Sequence, residues 1–223
     1  MPASDMTFKG LCAAHGLLVG LLMSALRIGA WPVAWIVAKI TDGKVLWRAD
    51  LVQLALLALP LGLLWRCPPD SFLYVLWPSL RLFDLEWVYM RSFVYNKAPA
   101  SKPRAVVFLF LHYTEVIVLF ALLYLFMQSH APIGADAAHS QGLFVKSSDG
   151  GHALTAPQAV FFSFITGATI GYGDIAPNHA ADRAWVIGVY LLTWLKTLMI
   201  LSFTLVELAR VIGFAGDERK PTS

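Results

Sequence analysis

The residues best suited to chemistry form one hexapeptide, Thr169-Ile170-Gly171-Tyr172-Gly173-Asp174. Successive backbone carbonyls can point to one side only if residues alternate between ordinary and left-handed conformations, and glycine adopts the latter without a steric penalty. Gly171 and Gly173 have the spacing for this alternation. Where four chains meet, the carbonyls of residues 169–172 and the Thr169 hydroxyl would form stacked oxygen rings. Such rings can replace the water around a cation, and a single chain cannot form one.

The other side chains of the hexapeptide have separate expected roles. Ile170 and Tyr172 would point away from the ring axis and pack behind the loop. Asp174 would place a ring of negative charge at the outer mouth, which concentrates cations. Glycine turns of helix caps and hairpins also produce Gly-x-Gly patterns. The flanking segments must therefore decide between a turn and a cation-binding loop.

The segment before the hexapeptide predicts a short apolar helix. Thr155 is a suitable N-cap, and Pro157 lies in the first turn, where its missing N–H does no harm. The C-terminus of this helix would lead into the loop, so the negative end of its dipole would favour a partly dehydrated cation. A long apolar span follows the loop. These flanks favour the cation-binding loop over a chance turn.

Composition indicates a membrane protein. Of the 223 residues, 58% are hydrophobic and only 14% are charged, which leaves a soluble domain too little polar surface to cover its core. Four segments approach the roughly 20 apolar residues that a bilayer crossing needs. They are Leu11–Gly29, the segment between Trp47 and Arg66 that brackets Leu51–Leu64, Ala105–Gln128 and Ala184–Phe214. The short helix and the loop would re-enter the membrane between the last two, where non-helical backbone is tolerated if it lines water.

The stretch from Phe161 to Pro177 resembles the pore signature of potassium channels of the two-transmembrane type. The resemblance covers residues from about 105 to 213. It implies an outer helix, a pore helix, a selectivity filter and an inner helix, assembled as a tetramer with K⁺ bound at residues 169–172. Ala168 departs from the pattern, because a second threonine is common at that position.

Together these features predict an all-α integral membrane protein with four transmembrane helices, a re-entrant pore helix and a filter. The predicted divisions are an N-terminal membrane region (1–69), a cytoplasmic interfacial linker (70–104), a pore domain (105–214) and a short cytoplasmic tail (215–223). Residues 70–95 are apolar enough to suggest a further crossing. Their charged residues favour a helix lying at the interface instead, since a charge at mid-bilayer costs about 2.5 to 3.5 kcal/mol.

The distribution of basic residues predicts orientation. They are concentrated between the second and third spans and after the fourth, at Arg66, Arg81, Arg91, Lys97, Lys102, Arg104, Arg210, Arg219 and Lys220. Both regions are therefore expected in the cytoplasm, together with both termini, in a multi-pass protein of the plasma membrane. The basic residues of the first loop, Lys39, Lys44 and Arg48, do not fit this orientation.

Two ionisable residues lie at similar depth inside the predicted spans. Glu115 is about ten residues from the cytoplasmic start of the third span, and Lys196 is about thirteen from the outer start of the fourth. They could form an ion pair, or each could find another partner. Because a lysine facing the ion cavity would oppose cations, Lys196 is expected to point toward the outer helix or a neighbouring subunit. The helical row predicted to line the pore is Thr197, Leu201, Leu205 and Ala209.

The predicted function is passive, K⁺-selective conduction through a homotetramer in lipid. The chain carries no catalytic dyad, phosphate loop or metal cluster, so neither an enzyme nor a cofactor is expected, and K⁺ is the permeant ion. The net charge of +3 reflects topology and not a nucleic-acid surface. The alternative is a non-conducting accessory or regulatory subunit that keeps the pore fold. A transporter built from pore-like repeats is disfavoured, because only one such repeat is present.

Overall fold

The computed structural model describes residues 21–30, 32–33, 46–94, 102–131, 142–147 and 153–217. Its elements in chain order are α1 (Leu21–Ala30), α2 (Leu46–Arg66), α3 (Leu73–Val94), α4 (Lys102–His130), β1 (Phe144–Lys146), α5 (Ala156–Gly167), β2 (Ile175–Pro177) and α6 (Arg183–Asp217). The described part of the chain is thus almost entirely helical, as predicted. Its two strands pair antiparallel, with Val145 opposite Ala176.

Two of the described helices are long and apolar enough to cross a bilayer. They contain Val106–His130 and Arg183–Leu208, which coincide with the third and fourth predicted spans. The apolar parts of α1 and α2, Leu21–Ala30 and Leu51–Arg66, are shorter. The first predicted span also begins outside the described residues. Four crossings therefore stay a prediction, with two supported by helix length.

Helix α3 is continuous through residues 73–94, including Pro78. It is not among the described helices that pass the length and composition test for a bilayer crossing. Arg81 and Asp84 lie one turn apart, form an ion pair and are both buried. Their spacing puts both side chains on one face of the helix. An interfacial position for α3 stays a prediction.

Contacts divide the chain into two compact units. The first comprises residues 1–52, 79–109 and 202–223, and the second comprises residues 53–78 and 110–201. These units follow packing, whereas the divisions predicted after residues 69, 104 and 214 follow membrane topology. The topological divisions stay predictions.

The first unit has an apolar cluster formed by α1 and α3. Met23, Leu26 and Ala30 of α1 are buried with Trp87 of α3. Gly29 allows the close approach, because a Cβ added there would lie 2.7 Å from the Cγ of Phe83. A shared apolar face thus holds these two helices together.

The first unit also joins α3 to α6. Ser202 Oγ donates to the carboxylate of Glu86, at 3.2 Å from each oxygen, and the ring of Tyr89 stacks on Phe203 with centroids 4.0 Å apart. Burial raises the pKa of Glu86 to about 7, and the hydrogen bond from Ser202 opposes part of that rise. The polar contact in this helix pair is therefore sensitive to protonation near neutral pH.

The second unit is built around α4. Every residue from Glu115 to Leu125 is buried. The rings of Tyr124, Phe144 and Phe162 meet edge to face, with centroids 5.1 to 6.2 Å apart, and join α4 to β1 and α5. Such pairs stabilise by about 0.5 to 1.5 kcal/mol each beyond their burial. The core of this unit therefore fixes α5, which leads into the hexapeptide.

Candidate functional site

Helix α5 is positioned at its N-terminus by two amide side chains. The backbone N–H of Thr155, the N-cap, donates to Gln158 Oε1 at 2.9 Å, and Pro157 lies in the first turn. The Gln128 amide of α4 bonds the backbone of Leu154, accepting from its N–H and donating to its carbonyl at 3.2 Å. The predicted N-cap is thus confirmed, and the start of α5 is fastened to α4.

The C-terminal carbonyls of α5 accept hydrogen bonds from the start of the hexapeptide. Ile170 N–H donates to Ile165 O at 2.9 Å, and Gly171 N–H reaches the same oxygen at 3.4 Å. The N–H groups of Ala168 and Thr169 donate to Phe164 and Thr166, at 2.8 and 3.3 Å. A helix leaves its last carbonyls without intrahelical partners, and here the loop supplies them. The N–H groups of residues 168–171 therefore face the helix.

Backbone conformation alternates along the hexapeptide. The φ angles are 56° at Thr169, 58° at Gly171 and 76° at Gly173, and these are the positive values among the described residues. Ile170 and Tyr172 between them have ordinary conformations. Alternation of this kind is what allows successive carbonyl oxygens to point to one side. Thr169 is a non-glycine residue in the left-handed region, which costs free energy and is common at functional sites.

Hydrogen bonds beyond the hexapeptide hold its outer end. Asp174 O accepts from Ser147 N–H at 2.9 Å, and β2 pairs with β1 directly afterwards. Asn178 follows β2 and is buried; its Nδ2 donates to Gly142 O at 3.0 Å, and its N–H donates to Leu143 O at 2.9 Å. The loop thus lies between two fixed ends, α5 before it and the strand pair after it.

The described residues leave the side chains expected to pack behind the loop largely uncovered. Tyr172 is 71% exposed and Ile170 is 46% exposed. Asp174 is only partly exposed. Packing of Ile170 and Tyr172 behind the loop stays a prediction.

The predicted pore-lining row lies along α6. Thr197 is half-buried, and its hydroxyl donates to Thr193 O at 3.0 Å. Leu201 and Leu205 are 50% and 54% exposed. Ala209 is helical, but its side chain lies outside the described part of the structure. A pore-facing role for these four residues stays a prediction.

Glu115 and Lys196 are both buried inside the second unit. The Nζ of Lys196 donates to Ser163 O at 2.8 Å and also bonds the hydroxyls of Ser163 and Thr166. Lys196 was expected to point toward the outer helix or a neighbouring subunit, whereas the hydrogen-bond partners of its Nζ lie on α5. Pairing between Glu115 and Lys196 stays a prediction.

Sequence reasoning missed the residues that hold Lys196 and the outer end of the loop. Ser163 and Thr166 are hydroxyl residues three apart on an apolar helix, and this spacing was a usable signal for one polar face. No comparable pattern marks Asn178, because its partners at residues 142 and 143 are distant in sequence. The pairing of β1 with β2 was not predicted for the same reason, because the two strands are far apart in sequence.

Residues 106–210 match the protein-family model described as "Ion channel". No curated protein and no solved structure matches the chain. The matched region starts within α4 and ends within α6, so it contains α5, the hexapeptide and the strand pair. Together with the two long apolar helices, the match indicates a membrane protein whose residues 106–210 are similar to an ion channel domain, and it favours a channel over an enzyme.

Proposed function

We propose that this protein is a K⁺-selective channel that conducts passively through a filter formed by residues 169–174 of four identical subunits. The observation that carries the proposal is the backbone of Thr169–Gly173, where left-handed and ordinary residues alternate. With the N–H groups bonded to α5, the carbonyl oxygens are free to replace the hydration shell of K⁺. The matched ion channel region supports the same function.

The exposed surfaces support assembly with further copies. Only 28% of the most apolar stretch of α6 is buried inside one chain, against 56% for α4. Tyr172 and Ile170 are exposed as well. Neighbouring subunits would cover these side chains, and lipid would cover the remaining apolar surface. One chain contributes one side of each oxygen ring, and four chains would complete the ring.

The remaining assignments follow from this arrangement. K⁺ would bind at residues 169–172, with Asp174 at the outer mouth and the row of Thr197, Leu201, Leu205 and Ala209 below the filter. The tetramer would lie in the plasma membrane with both termini in the cytoplasm. No cofactor is required, because the backbone itself supplies the ligands.

Flux into liposomes tests the proposal. Purified protein should pass K⁺ and exclude Na⁺, and Gly171→Ala should abolish the selectivity because φ at residue 171 is +58°. Gly62→Ala is the matched control, since a Cβ at this helical glycine meets nothing within 4 Å. A tetramer that binds K⁺ but carries no flux would instead indicate a non-conducting accessory subunit. Equal flux of Na⁺ and K⁺ would contradict selectivity.

A further inference from the structure

Lys196 is a cation buried beside the end of the pore helix. The residue has no exposed surface, although α6 is largely exposed around it. Its Nζ donates to Ser163 O at 2.8 Å, lies 3.4 Å from Ser163 Oγ and bonds Thr166 Oγ1. The ring of Tyr124 completes the site, with its centroid 5.2 Å from Nζ.

These contacts satisfy the donors of the side chain. An ammonium has three donors, and three oxygen atoms of α5 lie within hydrogen-bond distance of it. Burial of a charged group without such partners is costly, so the ammonium and these oxygens hold each other in place. The aromatic ring faces the cation from α4 and adds a favourable interaction. Lys196 therefore fastens α6 to the last turns of α5.

The stem of Lys196 also contacts the point where α5 ends. A Cβ added at Gly167, the last residue of α5, would lie 3.6 Å from Lys196 Cε and 3.2 Å from Ile200 Cδ1. A glycine at this position therefore leaves room for the lysine stem and for Ile200 against the helix terminus. This contact with Gly167 lies two residues before Thr169, where the proposed filter begins.

Thr166 connects this contact directly to the filter. Its hydroxyl bonds Lys196 Nζ, and its backbone carbonyl accepts the N–H of Thr169 at 3.3 Å. The neighbouring carbonyl of Ile165 accepts from Ile170. A displacement of the last turn of α5 would therefore displace the acceptors that orient the first filter residues.

We propose that Lys196 is a positioning residue for the selectivity filter: by holding Ser163 and Thr166, it sets the place of the carbonyl-bearing residues 169–171. This inference rests on the proposed function and assigns a further residue to it. Lys196 does not touch the permeant ion. It acts through α5, and its loss alters filter geometry before it alters assembly.

The test compares full-length Lys196→Met with the wild type in two measurements, the ratio of K⁺ to Na⁺ permeability and the fraction of tetramer. Methionine keeps the length and apolar character of the stem without its donors. We expect the permeability ratio to fall by about tenfold or more, the loss expected when charged hydrogen bonds are removed. Thr166→Val should give a loss in the same direction. The double variant should lose little more selectivity than either single variant, because both single variants break the same contact between Lys196 and Thr166.

Tyr74→Phe is the matched control. It lies in the same unit and loses a hydroxyl that donates to Leu63 O and Cys67 O, both at 2.9 Å, at the end of α2 and directly after it. It should lower stability and keep the permeability ratio. If Lys196→Met and Thr166→Val lower only the tetramer fraction and the surviving tetramers keep wild-type selectivity, the proposal is overturned.

A second readout separates this proposal from the proposed function. K⁺ bound in the filter should raise the Tm of the tetramer relative to Na⁺, whether or not the protein conducts. We expect Lys196→Met to lose most of this K⁺-dependent shift and Tyr74→Phe to keep it. A wild type without selective flux would contradict the proposed function alone. An unchanged K⁺-dependent shift in Lys196→Met would contradict the role of Lys196.

Discussion

The backbone N–H of Ile170 donates a 2.9 Å hydrogen bond to the carbonyl oxygen of Ile165. This bond links the second residue of the hexapeptide to the last turn of the helix before it. It uses a carbonyl that has no partner within the helix, and it directs the N–H of Ile170 toward that helix. The conformation of the hexapeptide is therefore held by α5 as well as by its own glycines.

Gly173→Ala should damage the filter through backbone conformation alone. The residue has φ +76°, and a Cβ there would meet nothing within 4 Å, so no clash contributes. The left-handed conformation costs a non-glycine residue about 1 to 2 kcal/mol in each subunit. We expect a loss of the K⁺-dependent rise in Tm while tetramers still form. Retention of that rise would show that residue 173 does not need a positive φ.

Gly29→Ala should destabilise the first unit. The added methyl would lie 2.7 Å from Cγ and 3.0 Å from Cβ of Phe83, atoms close to the backbone that cannot move freely. Overpacking of this kind costs about 1 to 3 kcal/mol. Thermal unfolding in detergent should show a lower Tm than for Gly62→Ala. An equal Tm for the two variants would contradict the close packing of α1 on α3.

Asn178→Ala should loosen the outer end of the filter. The side chain is buried, donates to Gly142 O and accepts the N–H of Ala180 at 3.0 Å, so truncation removes two partly buried hydrogen bonds. The expected cost is about 0.5 to 1.5 kcal/mol for each bond. A lower Tm and faster hydrogen exchange at residues 143–147 would confirm it. His179→Ala is the control: this exposed neighbour contacts Tyr190 of α6, so its loss should leave exchange at residues 143–147 unchanged.

Glu86 should make stability depend on pH. Its pKa in the folded protein is raised by burial from 4.5 to about 7, so between these values the folded state binds a proton that the unfolded state has lost. This contribution to stability is present in full below about pH 4.5 and is lost as pH rises through about 7. Glu86→Gln should flatten the profile of Tm against pH in this window. An unchanged profile would contradict the assignment to Glu86.

Local signals in the sequence were sufficient for the short helix α5 and for the alternating backbone of the hexapeptide that follows it. The N-cap at Thr155, the proline in the first turn and the alternation at Gly171 and Gly173 depend on neighbours within a few residues. The long apolar spans of α4 and α6 follow from composition in the same way. Each of these features is determined by interactions close in the chain.

Contacts between distant segments could not be predicted in this way. Depth along two helices suggested that Lys196 and Glu115 could meet, but depth does not determine the rotation of a helix about its axis. The oxygens of Ser163 and Thr166 on α5 are the partners that the structure gives. The bond between Glu86 and Ser202 likewise joins residues far apart in sequence. These contacts depend on tertiary packing and leave no periodic signal.

The reversal potential of the purified protein, measured in a planar bilayer with K⁺ on one side and Na⁺ on the other, tests K⁺ selectivity directly. We expect a potential of the sign and size of a K⁺-selective membrane for the wild type, unchanged in Gly62→Ala and lost in Gly171→Ala. A potential near zero in the wild type, with measurable current, would contradict K⁺ selectivity and with it the assignment of residues 169–174 as the filter.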